Sequence, residues 1–346
     1  ISDDGQIAAV SDRDDWMTIV DIADRSAPTV LGRYEFVSST QPWGVDLVGD
    51  LAFVAVRSEG LWVIDIADPA QMSRIGRYLE IGTEFVFDVQ VLGDHAFLAD
   101  DWQGVTAIDI SDPAMPVFAD RLLAAERARE ITLDGTVAYI SRGIEGISIL
   151  DLSAAPVMTE LGSADITDVG EQIYSIAVVS PDLIVCADSH AGLRVVDVSD
   201  PSTPVIVATH APDMFDVSTD GATAFAVRRY SAFDDPPQLF AFDIDTSAPF
   251  DPPSQIGTLT VADDNVDVEV AGDLVLVANQ LGGTFVVDAS DASQPQTLAR
   301  VDTGGARADR LVRVGNTLAY VAFNDALGLV DISDPQNPVS LPDFPI

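Results

Sequence analysis

With 346 residues, 47% of them hydrophobic, the chain is folded rather than disordered and is too long for one ordinary core, which points to two domains or a repeat architecture. Its 17 basic residues are all arginine and stand against 56 acidic ones, for a formal net charge of −39, which disfavours nucleic-acid phosphates and anionic lipid heads as partners. The absence of lysine excludes Schiff-base chemistry through a lysine amine and a Walker-type phosphate loop.

Taken in order, the chain writes one unit eight times: TIVDIAD, WVIDIAD, TAIDISD, SILDLSA, RVVDVSD, FAFDIDT, FVVDASD and GLVDISD. The anchoring aspartates are Asp21, Asp65, Asp109, Asp151, Asp197, Asp243, Asp288 and Asp331, spaced 42 to 46 residues apart. Around each anchor recur an alternating strand (A), a Gly-Asp or Asp-Gly turn, an Ala-Phe/Tyr strand (B), a loop ending in Gly, the Val-Asp strand (C), an Asp-Pro turn and a last strand (D). In the third copy these are expected at Phe87 to Leu92, His95 to Asp100, Val105 to Ile110 and Pro116 to Leu122. Short strands of period two, punctuated by Gly, Asp and Pro, describe an all-β chain. A period near 44 with four antiparallel strands is the size of a propeller blade. The expected fold is therefore a single eight-bladed β-propeller domain over residues 1–346. Because the first copy begins inside strand A, seven blades with an extra edge remnant is the alternative.

The segments GLWVIDIADP, GLRVVDVSDP, GVTAIDISDP and LGLVDISDP resemble LVIVD repeats, a group of bacterial β-propeller proteins that are mostly exported or surface-associated and mostly without assigned activity. The resemblance spans the chain and implies a propeller at an extracellular, cell-surface or periplasmic location. It says nearly nothing about chemistry, because fold does not determine function. The fourth copy departs from it, reading DLSAAP without Asp-Pro, and the sixth carries inserts at Arg229 to Gln238 and Ser247 to Ser254.

The A–B and C–D turns repeat almost unchanged, so they and the anchor aspartates read as structural, the carboxylates accepting turn N–H groups. The B–C and D–A loops at the opposite end vary, and there a site is expected. Strand A presents Gly44, Asp88, Glu130, Ile176, Asp216, Asp267 and Arg310 at one equivalent position. Strand B ends in Asp12, Val56, Asp100, Arg142, Asp188, Arg228, Asn279 and Phe323. Neighbouring loops add Trp43, Arg57, Trp102, Arg127, Arg129, Tyr174, His190, Arg229, Tyr230, Asp263, Asp264 and Arg307.

The expected ligand-binding set is Asp88, Asp100, Trp102, Glu130, Arg142, Asp188, His190, Asp216, Arg228, Asp267 and Arg310. Several readings fit it. Arginine clamps with Trp43, Trp102 or Tyr174 as stacking walls suit a small polar or anionic ligand, and a protein partner is an alternative occupant of the same face. Converging Asp88, Asp100, Asp216 and Asp267 oxygens suit calcium as a cofactor, without an EF-hand spacing. A solvated rim with ion pairs such as Glu130 with Arg142 is the structural reading. An enzyme, a hydrolase, lyase or isomerase using carboxylates or a metal there, is the functional alternative; His190 and His210 near Asp188, Asp213 and Asp216 are its histidines, and His95 reads as structural.

Cys186 permits no internal disulfide, which fits a reducing compartment and equally an exported protein held by its core. It falls mid-strand, where a small hydrophobe belongs. No apolar run is long enough to span a membrane. The chain opens at Ile1 without methionine, as expected if a leader or upstream segment has been removed, and a monomer is expected.

Overall fold

A computed structural model describes residues 2, 6–11, 16–23, 29–36, 41–79, 85–123, 127–165, 172–210, 212–228, 237–247, 252–261, 265–279, 283–301, 310–314, 318–322, 326–340 and 344–345. The chain divides into two compact units, Ile1–Thr167 and Asp168–Ile346. Each holds four antiparallel sheets, one per repeat.

In the first unit the repeats supply Ile7–Ser11, Trp16–Asp21 and Thr29–Glu35; then Pro42–Val48, Leu51–Val56, Gly60–Asp65 and Ser73–Tyr78; then Val86–Leu92, His95–Asp100, Gly104–Asp109 and Val117–Leu122; then Glu130–Asp134, Val137–Ser141, Ile147–Asp151 and Thr159–Ala164. In the second they supply Ile173–Ser180, Leu183–Asp188, Gly192–Asp197 and Val205–His210; Asp216–Thr219, Thr223–Arg228, Gln238–Asp243 and Ser254–Thr260; Asn265–Ala271, Leu274–Asn279, Gly283–Asp288 and Gln296–Val301; and Arg310–Val314, Leu318–Ala322, Ala326–Asp331, Val339–Ser340 and Phe344–Pro345. Each complete sheet runs A-B-C-D, the meander of a propeller blade, and the chain is an all-β propeller of four-stranded antiparallel blades.

The blade count corrects the expectation of eight. Seven sheets have four or more strands, whereas the first has three, because Ile7–Ser11 is a strand B that pairs with the anchor strand from Ile7 opposite Asp21. The repeated aspartates count strand C, which occurs eight times; a blade also needs strand A, and among the described residues the first repeat has none. The alternative of seven blades fits.

Strand B shows why these sequences form blades. Ala52 to Val56 are all buried, and alternate side chains enter opposite cores: Ala52, Val54 and Val56 pack with Met17, Ile19 and Phe36 of the first repeat, while Phe53 and Ala55 pack with Val89, Ala96 and Leu98 of the third. A strand buried on both faces reads as a continuous apolar run, as LAFVAV does. Close approach at the outer strands relies on glycine. A Cβ on Gly76 would lie 2.0 Å from the carbonyl oxygen of Pro113 in the next repeat, and Gly32 and Gly257 meet Pro69 and Ala292 in the same way.

The anchor carboxylates close their own turns. Asp21, Asp65, Asp109, Asp151, Asp197, Asp288 and Asp331 each accept the backbone N–H two residues on, at 2.8–3.0 Å. In the sixth repeat the bond moves to Asp245, which accepts from Ser247. Hydrogen bonds from Ser111, Ser153 and Ser290 hold Asp109, Asp151 and Asp288 below the usual carboxylate range. Among the described residues no helix is long and apolar enough to cross a membrane.

Candidate functional site

Strand A is the edge of each blade, so half of its backbone N–H groups have no partner in their own sheet. The expected carboxylates supply one from the preceding repeat. Asp88 accepts from the Ile131 N–H at 3.0 Å, Asp216 from Val268 at 2.8 Å and Asp267 from Leu311 at 2.7 Å. Two residues further on, Asp46 accepts from Val91 at 2.8 Å and Ser218 from Val270 at 3.2 Å, a second rung of the same clasp. These bonds join consecutive blades within each unit. Asp46 and Ser218 were not among the expected residues.

The ends of strand B hold buried polar groups of a different kind. Asp100 and Asp188, both under 3% exposed, fold back to accept the N–H groups two and three residues on, from Trp102 and Gln103 and from His190 and Ala191. Asp188 also receives the Arg194 guanidinium at 2.8 Å. At the position of Arg194 the third repeat has Thr106, and the cross-strand Arg121 donates to its hydroxyl at 3.1 Å. Burial outweighs the two backbone hydrogen bonds and pushes the Asp100 carboxyl up to about 6.

Arg142 reverses the charge at this position: it reaches Ser148 at 3.3 Å, which donates to Glu160, and it pairs with Asp165 at 3.7 Å. Arg228 donates to Gln238 at 2.7 Å and lies 5.7 Å from the Phe240 ring. Asn279 donates to Asn265, which donates to the Arg228 carbonyl. All of these polar groups are knitted into the blades.

The variable loops of repeats two to four present something else. The guanidinium carbon of Arg57 lies over the Phe85 ring at 4.4 Å, that of Arg129 over Phe87 at 4.8 Å and that of Arg127 over Trp102 at 5.3 Å. Phe85 and Phe87 stack at 6.1 Å, and Trp43 meets Phe87 edge-on at 5.0 Å. The strand and loop geometry makes this assembly: the Arg127 N–H donates to the Asp101 carbonyl, which sets Arg127 beside Trp102, while the Asp101 carboxylate lies 3.6 Å from Arg129. Glu145 lies 3.6 Å from Arg127. Gln41, which accepts from Arg57, and Arg127 are the non-glycine residues with left-handed backbone among those described, at φ 50° and 66°. Such conformations are uncommon and collect at functional sites. Trp102 is 53% exposed, and Leu123 and Ile144 of neighbouring loops are exposed as well.

Glu130 opens a strand A opposite Ser141 and is half-buried. His190 is exposed beside the Ser189 hydroxyl, His210 packs edge-on to Phe242, and Tyr174 tilts against Phe215. Cys186 is buried mid-strand as expected. Arg310 begins a strand A, and its side chain lies outside the described residues, as do Asp12, Arg229, Tyr230, Asp263, Asp264, Arg307, Phe323 and most of the sixth-repeat inserts. Among the described residues no group of three or more His, Cys, Asp or Glu side chains is placed to hold a metal ion. Phe85, Phe87, Gln41 and Asp101 complete the arginine–aromatic assembly and were missed; the aromatic doublet FVF ahead of Asp88 was the available signal.

A family model described as the LVIVD repeat matches residues 4–35, 41–80, 86–123, 177–211, 264–303 and 308–341. The chain belongs to the LVIVD-repeat family. The fourth and sixth repeats of this LVIVD-repeat protein fall outside the matched segments, and they are the two whose sequences depart from the pattern, although both form complete blades.

A search of curated protein sequences finds no match. Among solved structures, the LVIVD-repeat protein is similar to BamB from Moraxella catarrhalis, with TM-score 0.67 and 15% identity over 94% of this chain and 92% of that one. It is similar to Saccharomyces cerevisiae Sqt1, with TM-score 0.71 and 9% identity over 99% and 93%. It is also similar to Chaetomium thermophilum Sqt1 bound to the N-terminus of ribosomal protein L10, with TM-score 0.68 and 13% identity over 92% and 90%. At these identities the likeness is one of fold.

Proposed function

We propose that this protein is a scaffold that binds a protein partner through the B–C and D–A loops of repeats two to four. The observation that carries this reading is the arginine–aromatic assembly of Arg57, Arg127 and Arg129 on Phe85, Trp102 and Phe87. Tryptophan and arginine are the side chains that dominate binding energy at protein interfaces, and here they sit on variable loops of a rigid scaffold, where such sites are found. The likeness to a propeller solved with a bound polypeptide segment supports the same use of the fold. An exported location, implied by the family resemblance, is part of the reading.

A photo-crosslinking side chain at Leu123, 54% exposed where the third repeat's last strand leads toward Arg127, tests it against one at Val205, 53% exposed on an outer strand. In extracts of the source cells, Leu123 is expected to give a discrete protein adduct that Val205 does not give and that disappears in the Trp102→Ala, Arg127→Ala background. Adducts indifferent to that background overturn the reading.

A further inference from the structure

Resting on that reading, we infer that the segment this surface takes is acidic, its carboxylates received by the guanidinium edges of Arg127 and Arg129. A guanidinium that lies over an aromatic ring turns its charge to the π face and still carries several N–H donors able to match a carboxylate bidentately. Both side chains are more than a third exposed, and their ion pairs with Glu145 and Asp101 are long, 3.6 Å, beyond ordinary hydrogen-bond distance. The rings fix the guanidiniums before binding, so little side-chain entropy remains to be lost when a ligand arrives. Exposed Trp102 under Arg127, with exposed Leu123 and Ile144 on the adjoining loop segments, offers apolar contact to residues flanking the acids.

Charge elsewhere makes the choice specific. A basic segment would find favourable sites over much of a chain carrying 56 acidic residues, so one loop cluster could not select it. An acidic segment is repelled by that same field and accepted only where arginines gather, which is discrimination by repulsion from the wrong sites. The same argument sets the salt dependence. From low ionic strength, added salt screens the long-range repulsion before it weakens the close contact, so affinity is expected to rise first and fall later.

The test pans a random 15-residue peptide library on the folded protein, with counter-selection on the Trp102→Ala, Arg127→Ala variant. Enriched peptides are expected to be net acidic with an apolar residue, and a synthetic representative is expected to bind about tenfold more weakly to Arg127→Lys, Arg129→Lys. That variant keeps the charge, and its circular dichroism and melting temperature report whether the fold is intact. Enriched peptides that are basic or neutral and still depend on Trp102 overturn the acidic assignment and leave the scaffold reading standing. Enrichment without any dependence on Trp102 and Arg127, or no enrichment, overturns both.

Discussion

Asp100 and Asp188 occupy one position of the repeat and close the same loop, yet differ in what balances their charge. Asp188 has the Arg194 guanidinium at 2.8 Å, whereas Asp100 has backbone donors and a more distant Arg121, and its pKa rises from 3.8 to about 6. A carboxyl whose folded pKa lies above its unfolded one binds its proton more tightly in the native state, so its contribution to stability is most favourable below pH 3.8. That contribution declines as pH rises to about 6 and stays at its least favourable above. Asp100→Asn keeps an acceptor for the Trp102 and Gln103 N–H groups and removes the buried charge. It is expected to stabilise the protein at pH 8 by on the order of 1 kcal/mol, less than the full shift implies because the amide NH2 that replaces one carboxylate oxygen must itself be satisfied in the buried site. The gain should vanish at pH 4. Urea unfolding at the two values checks this, and an equal gain at both would show that charge is not the cause.

At the scale of strands, the clasp assigns Asp216 a structural bond that a purely ligand-binding residue would lack. Asp216→Ala leaves the Val268 N–H without its acceptor at a blade edge and is expected to cost about 1–3 kcal/mol, while Asp216→Asn, which retains a carbonyl oxygen, should cost less than half of that. Thermal melts of the two variants distinguish the cases, and an unchanged melt for Asp216→Ala would remove the clasp as a source of stability. The same residue shows where the sequence was legible. Turn carboxylates such as Asp109 bond two residues away, so a repeated motif reveals both partners at once. Asp88, Asp216 and Asp267 bond to partners 43 to 52 residues along, and nothing local in the sequence names those partners. Trp102, Arg127 and Arg129 stood out as loop residues, but their stacking arrangement depends on a hydrogen bond between the loops before and after one blade's last two strands. Phe85 and Phe87 are hidden in the sequence because aromatics at the start of a strand read as core. The blade number was misread because the motif marks strand C, whereas completeness is decided by strand A.

At the scale of the molecule, a net charge of −39 on 346 residues means that folding concentrates like charges, and the compact state is destabilised by self-repulsion. The Debye length falls from about 10 Å at 0.1 M to about 3 Å at 1 M, so added monovalent salt removes most of this repulsion. Lowering pH toward the isoelectric point near 4.1 removes it by protonation. Opposing that second route are carboxylates such as Asp109, Asp151 and Asp288, whose lowered pKa values mean that the stability they contribute is present above pH 3.8 and is lost only as pH falls through their folded values. Between pH 8 and pH 5.5 those lowered carboxylates stay ionised, while the relief of repulsion and the Asp100 contribution act in the same direction. The melting temperature at 0.05 M NaCl should therefore rise from pH 8 to pH 5.5 by several degrees. At 1 M NaCl it should be higher at both pH values and nearly independent of pH, except for the small share due to Asp100, which Asp100→Asn removes. Sodium and potassium should act alike, because screening depends on ionic strength. A melting temperature that responds to pH equally at both salt concentrations would place the effect in individual buried groups and not in the summed field.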